Sequence, residues 1–194
     1  MNLKLTYTLR LLDPHGHQVR ARTARAARSF LLAFLQHIQG ALDRISINII
    51  DVTNTSRSVY PPSGVVENWM NSDGPIGDTN VGPVVGTGTT APATTDYALQ
   101  TQIAHGNGAG QLSYQETAVD DVTYNPTTCT LRIRRNFNNN SGAPITINEI
   151  GLYCNSRWAI GTSAFCLIRD LLAAPFTVPN GSTAQLEYTL QTTV

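Results

Sequence analysis

The residues whose types and spacing could bind a metal or transfer protons are two histidines near the N-terminus and a few aspartates. His15 and His17 closely follow Asp13, and two imidazoles with one carboxylate form part of a zinc ligand set. A third clear ligand is missing, so the alternative is a pair of exposed turn histidines. Asp120 and Asp121 are adjacent, and in any strand successive side chains point to opposite faces, so the two could not act there as a paired acid and base.

Two glycine-containing segments partly match ion-binding or phosphate-binding loops but lack residues that these loops require. Asp73 and Asp78 miss the regular ligand spacing and the final glutamate of a calcium loop. The segment GTGTT at 86–90 lacks the Gly-Lys-Ser/Thr ending of a phosphate loop, and no helix is predicted after it. The motifs G-x-S-x-G, H-E-x-x-H and S-x-x-K are also missing. We therefore expect no enzyme active site, no metal site and no cofactor.

The nine-residue segment RARTARAAR contains four arginines: Arg20, Arg22, Arg25 and Arg28. Such a cluster could neutralise several phosphates of a nucleic acid. Stacking aromatic residues are not interleaved with the arginines, however, and the formal net charge of the chain is zero, unlike that of a dedicated nucleic-acid-binding domain. We expect the arginines to contact an acidic protein surface, and contact with DNA is the alternative.

The charges of the chain are few and unevenly distributed. Charged residues make up 13% of the 194 residues, about half the usual share. Residues 1–57 contain eight basic and three acidic residues, whereas the remaining residues contain five basic and ten acidic ones. This asymmetry favours head-to-tail association between copies, or an acidic partner for the N-terminal part. No apolar run is long enough to span a membrane.

The elements that position the arginines are a strand and a helix. Alternating apolar and polar residues predict a half-buried strand over residues 3–11. A helix is predicted from about Thr23 to Gly40, and arginines near its N-terminus would oppose the helix macrodipole. An external acidic partner would explain this unfavourable placement. Six apolar residues are predicted to form one buried face of the helix: Phe30, Leu31, Phe34, Leu35, Ile38 and Leu42.

A second strand is predicted at residues 45–50, followed by an irregular loop to about residue 80. Trp69 and Met70 are apolar residues within this polar loop. They could anchor a protein–protein interface, or they could fold back onto the surface of their own domain.

The second half of the chain is predicted to be an antiparallel β-domain, because short alternating segments are separated by Gly, Asn and Pro turns. In ITINEIGLYC the apolar positions change phase, which predicts a β-bulge near Asn148–Glu149. The predicted fold class is mainly β, with an antiparallel β-sandwich or jelly-roll-like body and one N-terminal amphipathic α-helix. We divide the chain into a docking arm (1–50), an irregular loop (51–80) and a β-sandwich body (81–194).

Two long segments resemble structural proteins encoded by tailed bacteriophages: VVGTGTTAPATTDYALQTQIAHG and ITINEIGLYC…FCLIRDLLAAPFTVPNGSTAQLEYTLQ. The shared elements lie at Gly86–Leu99, Glu149–Tyr153, Arg169–Leu172 and Val178–Thr183. The resemblance covers mainly residues 82–194. It implies a non-enzymatic component of the virion that is present in many copies and has a β-sandwich body.

Together, the resemblance and the charge pattern lead us to expect a capsid cement or decoration protein. Its partner would be the major capsid protein or another virion protein, and it would also self-associate, for example as a trimer. A tail, connector or baseplate component and a carbohydrate-binding virion appendage are the alternatives. Arg169 and Asp170 could form an ion pair between subunits, or an ordinary edge-strand pair that contributes little. The expected partner-binding residues are Arg20, Arg22, Arg25, Arg28, Trp69, Met70 and Arg169.

Overall fold

Strands form most of the regular structure in the computed structural model, which describes residues 2–27, 30–60 and 69–194. The strands are β1 (Asn2–Leu12), β2 (Gln18–Ala26), β3 (Ile47–Ile50), β4 (Ser56–Val59), β5 (Gly82–Gly86), β6 (Ser113–Val119), β7 (Thr123–Asn125), β8 (Thr128–Asn138), β9 (Ile145–Trp158), β10 (Gly161–Val178) and β11 (Thr183–Thr193). The helix found among the described residues is α1 (Leu32–Asp43). The protein is therefore mainly β, as the sequence predicts.

Two antiparallel sheets pack against each other as a β-sandwich. The first sheet has the strand order β2–β1–β11–β8–β6, and β7 also pairs with β8. The second sheet has the order β10–β9–β4–β3, and β5 also pairs with β9. Apolar side chains from both sheets form one core, as expected for two sheets that bury their facing surfaces. Its largest fully buried aromatic members include Tyr114, Tyr153, Phe165 and Tyr188.

The N-terminal strand lies inside the first sheet. Its alternating pattern is confirmed at Leu5, Tyr7 and Leu9, which are buried, whereas Leu3 is 54% exposed and Thr6, on the predicted polar face, is buried. β1 pairs with β11 along its whole length, from Asn2 opposite Thr193 to Leu12 opposite Thr183. Residues that we assigned to a docking arm thus belong to the same sheet as the C-terminal strand.

The predicted helix start at Thr23 is wrong. Residues Gln18–Ala26 form β2, which pairs with β1, and α1 begins only at Leu32. Arginine and alanine favour helices locally, but pairing with β1 holds these residues in an extended conformation by hydrogen bonds along one side of the strand. Because they are in a strand, their arginines do not oppose a helix macrodipole, and the unfavourable placement inferred from the sequence does not arise.

The predicted apolar face of the helix is also wrong in part. Leu35, Ile38 and Leu42 are 60%, 36% and 78% exposed, whereas Leu31, just before the helix, is fully buried. The residues that α1 buries are Ala33, His37 and Gly40. A Cβ atom on Gly40 would lie 3.3 Å from the carbonyl oxygen of Ile45, so this small residue lets the helix approach the following chain closely.

The segment predicted as an irregular loop contains a short strand. The predicted strand at 45–50 corresponds to β3, and β4 lies antiparallel to it within the predicted loop. Asp51 organises the turn between them, because its carboxylate accepts hydrogen bonds from the backbone N–H groups of Thr53 and Thr55 and from Nε of Arg57. Residues 61–68 of the predicted loop lie outside the described residues.

A register shift between β9 and β10 lies at the position of the predicted β-bulge. Glu149 is opposite Leu171, whereas Ile147 is opposite Phe176. The extra residues therefore belong to β10 and not to β9. The phase change in the sequence has another cause: residues 149–154 are buried on both faces of β9, so apolar side chains occur at consecutive positions.

Candidate functional site

A buried ion cluster lies where β9, β10 and the long loop at residues 87–112 meet. Nε of Arg169 on β10 donates to Oε2 of Glu149 on β9 at 2.9 Å, and its Nη1 donates to Oδ2 of Asp96 in the loop at 2.5 Å. Glu149 and Arg169 are both buried. We call Asp96, Glu149 and Arg169 the buried ion cluster. Each charge in it has a partner of opposite sign, as buried charges require.

Backbone groups of the loop complete the hydrogen bonding of this cluster. Oε1 of Glu149 accepts from the amides of Gly88 (3.1 Å) and Thr101 (2.8 Å), and Oε2 accepts from the amide of Gln100 (3.0 Å). Nη2 of Arg169 donates to the carbonyl oxygen of Thr90 at 2.9 Å. Two side chains therefore attach both ends of the segment 88–101 to the second sheet.

The electrostatic environment keeps Arg169 charged. Burial alone would lower the pKa of its guanidinium, but the hydrogen bonds to Asp96 and Glu149 outweigh this effect and raise the pKa above its usual value. Nearby, the hydroxyl of Tyr153 accepts a hydrogen bond from the amide of Leu99 at 2.7 Å. Burial raises the pKa of Tyr153 far above its usual value, so this phenol remains neutral and structural.

The close approach of the loop to Glu149 requires glycine. A Cβ atom on Gly86 would lie 2.6 Å from Oε1 of Glu149, and one on Gly88 would overlap the same carboxylate. Gly88 has an ordinary backbone conformation, so the requirement is for space and not for a left-handed φ. The segment GTGTT thus places the amide of Gly88 against a carboxylate of the same chain, and its next two amides donate to Oε1 of Gln100.

Three of the segments that carry the phage resemblance meet in this cluster: Gly86–Leu99, Glu149–Tyr153 and Arg169–Leu172. An open cleft of about 250 Å³ lies beside it and is lined in part by Asp96, Tyr97 and Arg169. The charged groups of the cleft are already engaged in the ion pairs described above. The arrangement can hold a loop in a fixed position, and it presents no unpaired nucleophile or general base.

The structure places the expected partner-binding residues in different environments. Arg20, Arg22 and Arg25 are on β2, and Arg28 lies outside the described residues. The guanidinium of Arg20 is exposed and lies 5.9 Å from the ring centroid of Phe176 on β10.

Arg169 and the apolar pair of the loop are engaged within the chain. Arg169 is buried and pairs with Glu149 and Asp96, so it does not reach a partner surface. Trp69 and Met70 are half-buried against the core, and the amide of Met70 donates to Oγ of Ser156 at 3.0 Å. The second sequence interpretation, in which this pair folds back onto its own domain, describes their position.

A buried serine–histidine pair joins α1 to β9. Nδ1 of His37 lies 2.7 Å from the carbonyl oxygen of Ala33, so this nitrogen carries the proton. Nε2 then accepts from Oγ of Ser156 at 2.9 Å. Burial lowers the pKa of His37, although the hydrogen bond to Ala33 opposes the shift. Both side chains are fully buried, so the pair has no access for a substrate and serves to hold the helix on the sheet.

Within residues 2–27, 30–60 and 69–194, no three His, Cys, Asp or Glu side chains are close enough together to hold a metal ion. The described helix is too short to cross a membrane. Comparison with protein-family models, with curated proteins and with solved structures identified no match.

Proposed function

We propose that this chain is a non-enzymatic structural protein of a bacteriophage virion that binds the capsid shell as a cement or decoration protein. The buried ion cluster supports the proposal, because it uses the residues of the phage-like segments to fix a loop and not to perform chemistry. The proposed partner is the major capsid protein, which the chain would contact through an exposed apolar surface.

The observation that carries the proposal is the exposed apolar face of α1. Leu32, Leu35, Ile38 and Leu42 follow one another at intervals of three or four residues, so they lie along one side of the helix. They remain substantially exposed to solvent in the described part of the chain. Contiguous exposed apolar patches on a folded domain mark sites of interaction, and this one contains no charged side chain that would restrict it to a polar partner.

The helix presents this face on a rigid support. The amide of Leu32 donates to the carbonyl oxygen of Thr94 at 2.8 Å, and the amide of Leu31 donates to that of Leu167 at 2.9 Å. His37 attaches the opposite side of the helix to Ser156. A preformed surface loses little conformational entropy on binding, which suits a protein that stabilises a shell through many identical contacts. Binding only to the assembled shell would shift the equilibrium toward that form.

The proposal is tested by sedimenting the purified chain with assembled capsid shells of the phage that encodes it. Burying a leucine contributes about 1.5–3 kcal/mol, so Leu35→Glu with Leu42→Glu should weaken shell binding by about 100-fold or more. Ile160→Glu is the matched control, because Ile160 is an equally exposed apolar residue in the turn between β9 and β10. It should bind like the wild type.

Two results would contradict the proposal. One is that the wild-type chain fails to bind shells and a cryo-EM map of the virion places it in the tail or baseplate. The other is that the Leu35/Leu42 variant, shown to be folded by circular dichroism, binds shells as tightly as the Ile160→Glu control.

A further inference from the structure

The first sheet ends in two edges of opposite charge. At one edge is β2, which contains three arginines and no acidic residue. At the other edge, residues 116–125 of β6, β7 and their connection contain Glu116, Asp120 and Asp121 and no basic residue. We call β2 the basic edge and residues 116–125 the acidic edge. Because the sheet lies between them, charges of opposite sign are found at its two edges.

The basic edge is open to a partner. Among the described residues, β2 pairs only with β1, so its other side has no neighbouring strand. Val19 is 64% exposed and Arg20 is exposed. Arg20 forms no ion pair with any described residue, and its guanidinium lies 5.9 Å from the centroid of the Phe176 ring. An unpaired edge strand presents backbone groups to which another chain can bond.

The acidic edge is open over most of its length. Its first part is covered, because the amide of Thr117 donates to the carbonyl oxygen of Gly74. Beyond this point Val119, Val122 and Tyr124 are exposed, Tyr124 by 82%. Asp120 pairs with Arg134 at 2.9 Å, which leaves Glu116 and Asp121 as the charges that can attract a partner. Apolar side chains between these carboxylates provide surface that association would bury.

We propose that copies of this chain associate head to tail, with the basic edge of one copy against the acidic edge of the next. Charge complementarity supports a second copy as the occupant, because opposite charges steer association and like charges oppose it. Pairing two basic edges or two acidic edges would place like charges together. Contact between different surfaces of identical chains generates closed rings or open filaments. This inference concerns only contacts between copies and does not rest on the capsid assignment.

The association should depend on ionic strength. Interactions between exposed charges are largely screened beyond about 10 Å at 0.1 M salt, so the oligomer should form at low salt and dissociate as salt is added. The protein is examined by sedimentation velocity over a range of protein concentrations at 0.02 M and 0.5 M NaCl. By the same relation, the screening length is about 20 Å at the lower salt concentration and about 4 Å at the higher one. We expect the sedimentation coefficient to rise with concentration at low salt only.

Charge reversal at each edge provides the decisive test. Arg20→Glu with Arg22→Glu makes both edges acidic, and Glu116→Arg with Asp121→Arg makes both edges basic. Each variant alone should lose at least about ten-fold in self-affinity, whereas an equimolar mixture of the two should associate again in a 1:1 ratio. Circular dichroism of each variant alone verifies that it is folded. Arg157→Glu reverses an exposed arginine on β9 of the second sheet and should associate like the wild type.

Other outcomes overturn the proposal. A wild-type chain that remains monomeric at low salt, or a mixture of variants that does not associate, excludes pairing of these edges. Loss of association in the arginine variant but not in the acidic-edge variant would show that β2 has a different partner. Salt-dependent binding of a DNA duplex by the wild type, abolished by the arginine substitutions, would then identify nucleic acid as that partner.

Discussion

The substitution Glu149→Gln removes one negative charge from the buried ion cluster and tests whether the cluster holds the long loop. Glu149 is fully buried and accepts hydrogen bonds from three loop amides and from Arg169. Breaking a buried pair by neutralising one partner costs about 3–5 kcal/mol. In a domain of this size, such a loss lowers the melting temperature by about 6–20 °C.

The assay combines urea denaturation with hydrogen exchange. Denaturation gives the free energy of unfolding, and exchange reports the amides of Gly88, Gln100 and Thr101, which should lose protection when their charged acceptor becomes neutral. Glu187→Gln is the control, because the Glu187–Arg10 pair at 3.2 Å is partly exposed and such pairs contribute at most about 1 kcal/mol.

The reasoning would be refuted if Glu149→Gln and Glu187→Gln had the same stability. It would also be refuted if the Glu149 variant were less stable but the three loop amides kept their wild-type protection. In that second case the ion cluster would stabilise the sheet without fixing the loop.

Three further predictions concern other buried groups. Because burial lowers the pKa of His37 below 6.5, the unfolded chain binds a proton at this residue that the native chain does not bind. The free energy of unfolding should therefore fall as the pH drops below about 6.5. Thermal melts at pH 5 and 7.5 should show a smaller pH dependence for His37→Gln than for the wild type. Arg135→Met should lower the free energy of unfolding by about 3 kcal/mol, because the buried guanidinium donates to the backbone carbonyl oxygens of Gln115, Val81 and Pro75. An unchanged midpoint of urea denaturation would contradict this role. One of the three thiols, that of Cys129, should react with a disulfide reagent in the native protein, because it is exposed. Burial raises the pKa of Cys154 to about 12 and that of Cys166 well above its usual value, so these two thiols should not react. Rapid reaction of a second thiol would contradict this prediction.

The parts of the fold that the sequence predicts are those with a local signal. The alternation in residues 3–11 identifies β1, because one face of a sheet is buried and the period of a strand is two. A signal of the same kind, apolar residues at helical spacing from Phe30 to Leu42, predicts a helix that extends back into the arginine-rich segment. Its actual conformation depends on pairing with β1, and β1 in turn depends on β11, more than 150 residues away. No local pattern contains that information.

The buried ion cluster was only partly accessible from the sequence. Its segments carry the phage resemblance, but the sequence interpretation pairs Arg169 with its neighbour Asp170 or with another subunit. Adjacent residues of a strand point to opposite faces, so pairing of Arg169 with Asp170 on one face could have been excluded beforehand. The correct partners, Glu149 and Asp96, are brought to Arg169 by the pairing of β9 with β10 and by the path of the loop.

Arg20 differs in its partners from four other arginines of the chain, and this difference supports a role of β2 in assembly. Arg10, Arg57, Arg134 and Arg169 each contact a carboxylate of the same chain at 2.5–3.2 Å, so their charges contribute to the fold. Arg20 has no such partner among the described residues, and a guanidinium 5.9 Å from an aromatic ring gains only about 0.5–1 kcal/mol at an exposed site. A charged strand at a sheet edge also prevents nonspecific aggregation, which would account for its arginines without any partner. Protection of the edge against aggregation needs no complementary acidic edge, whereas head-to-tail association does. The mixing of the two charge-reversed variants separates these explanations, because only the second predicts that the variants associate with each other.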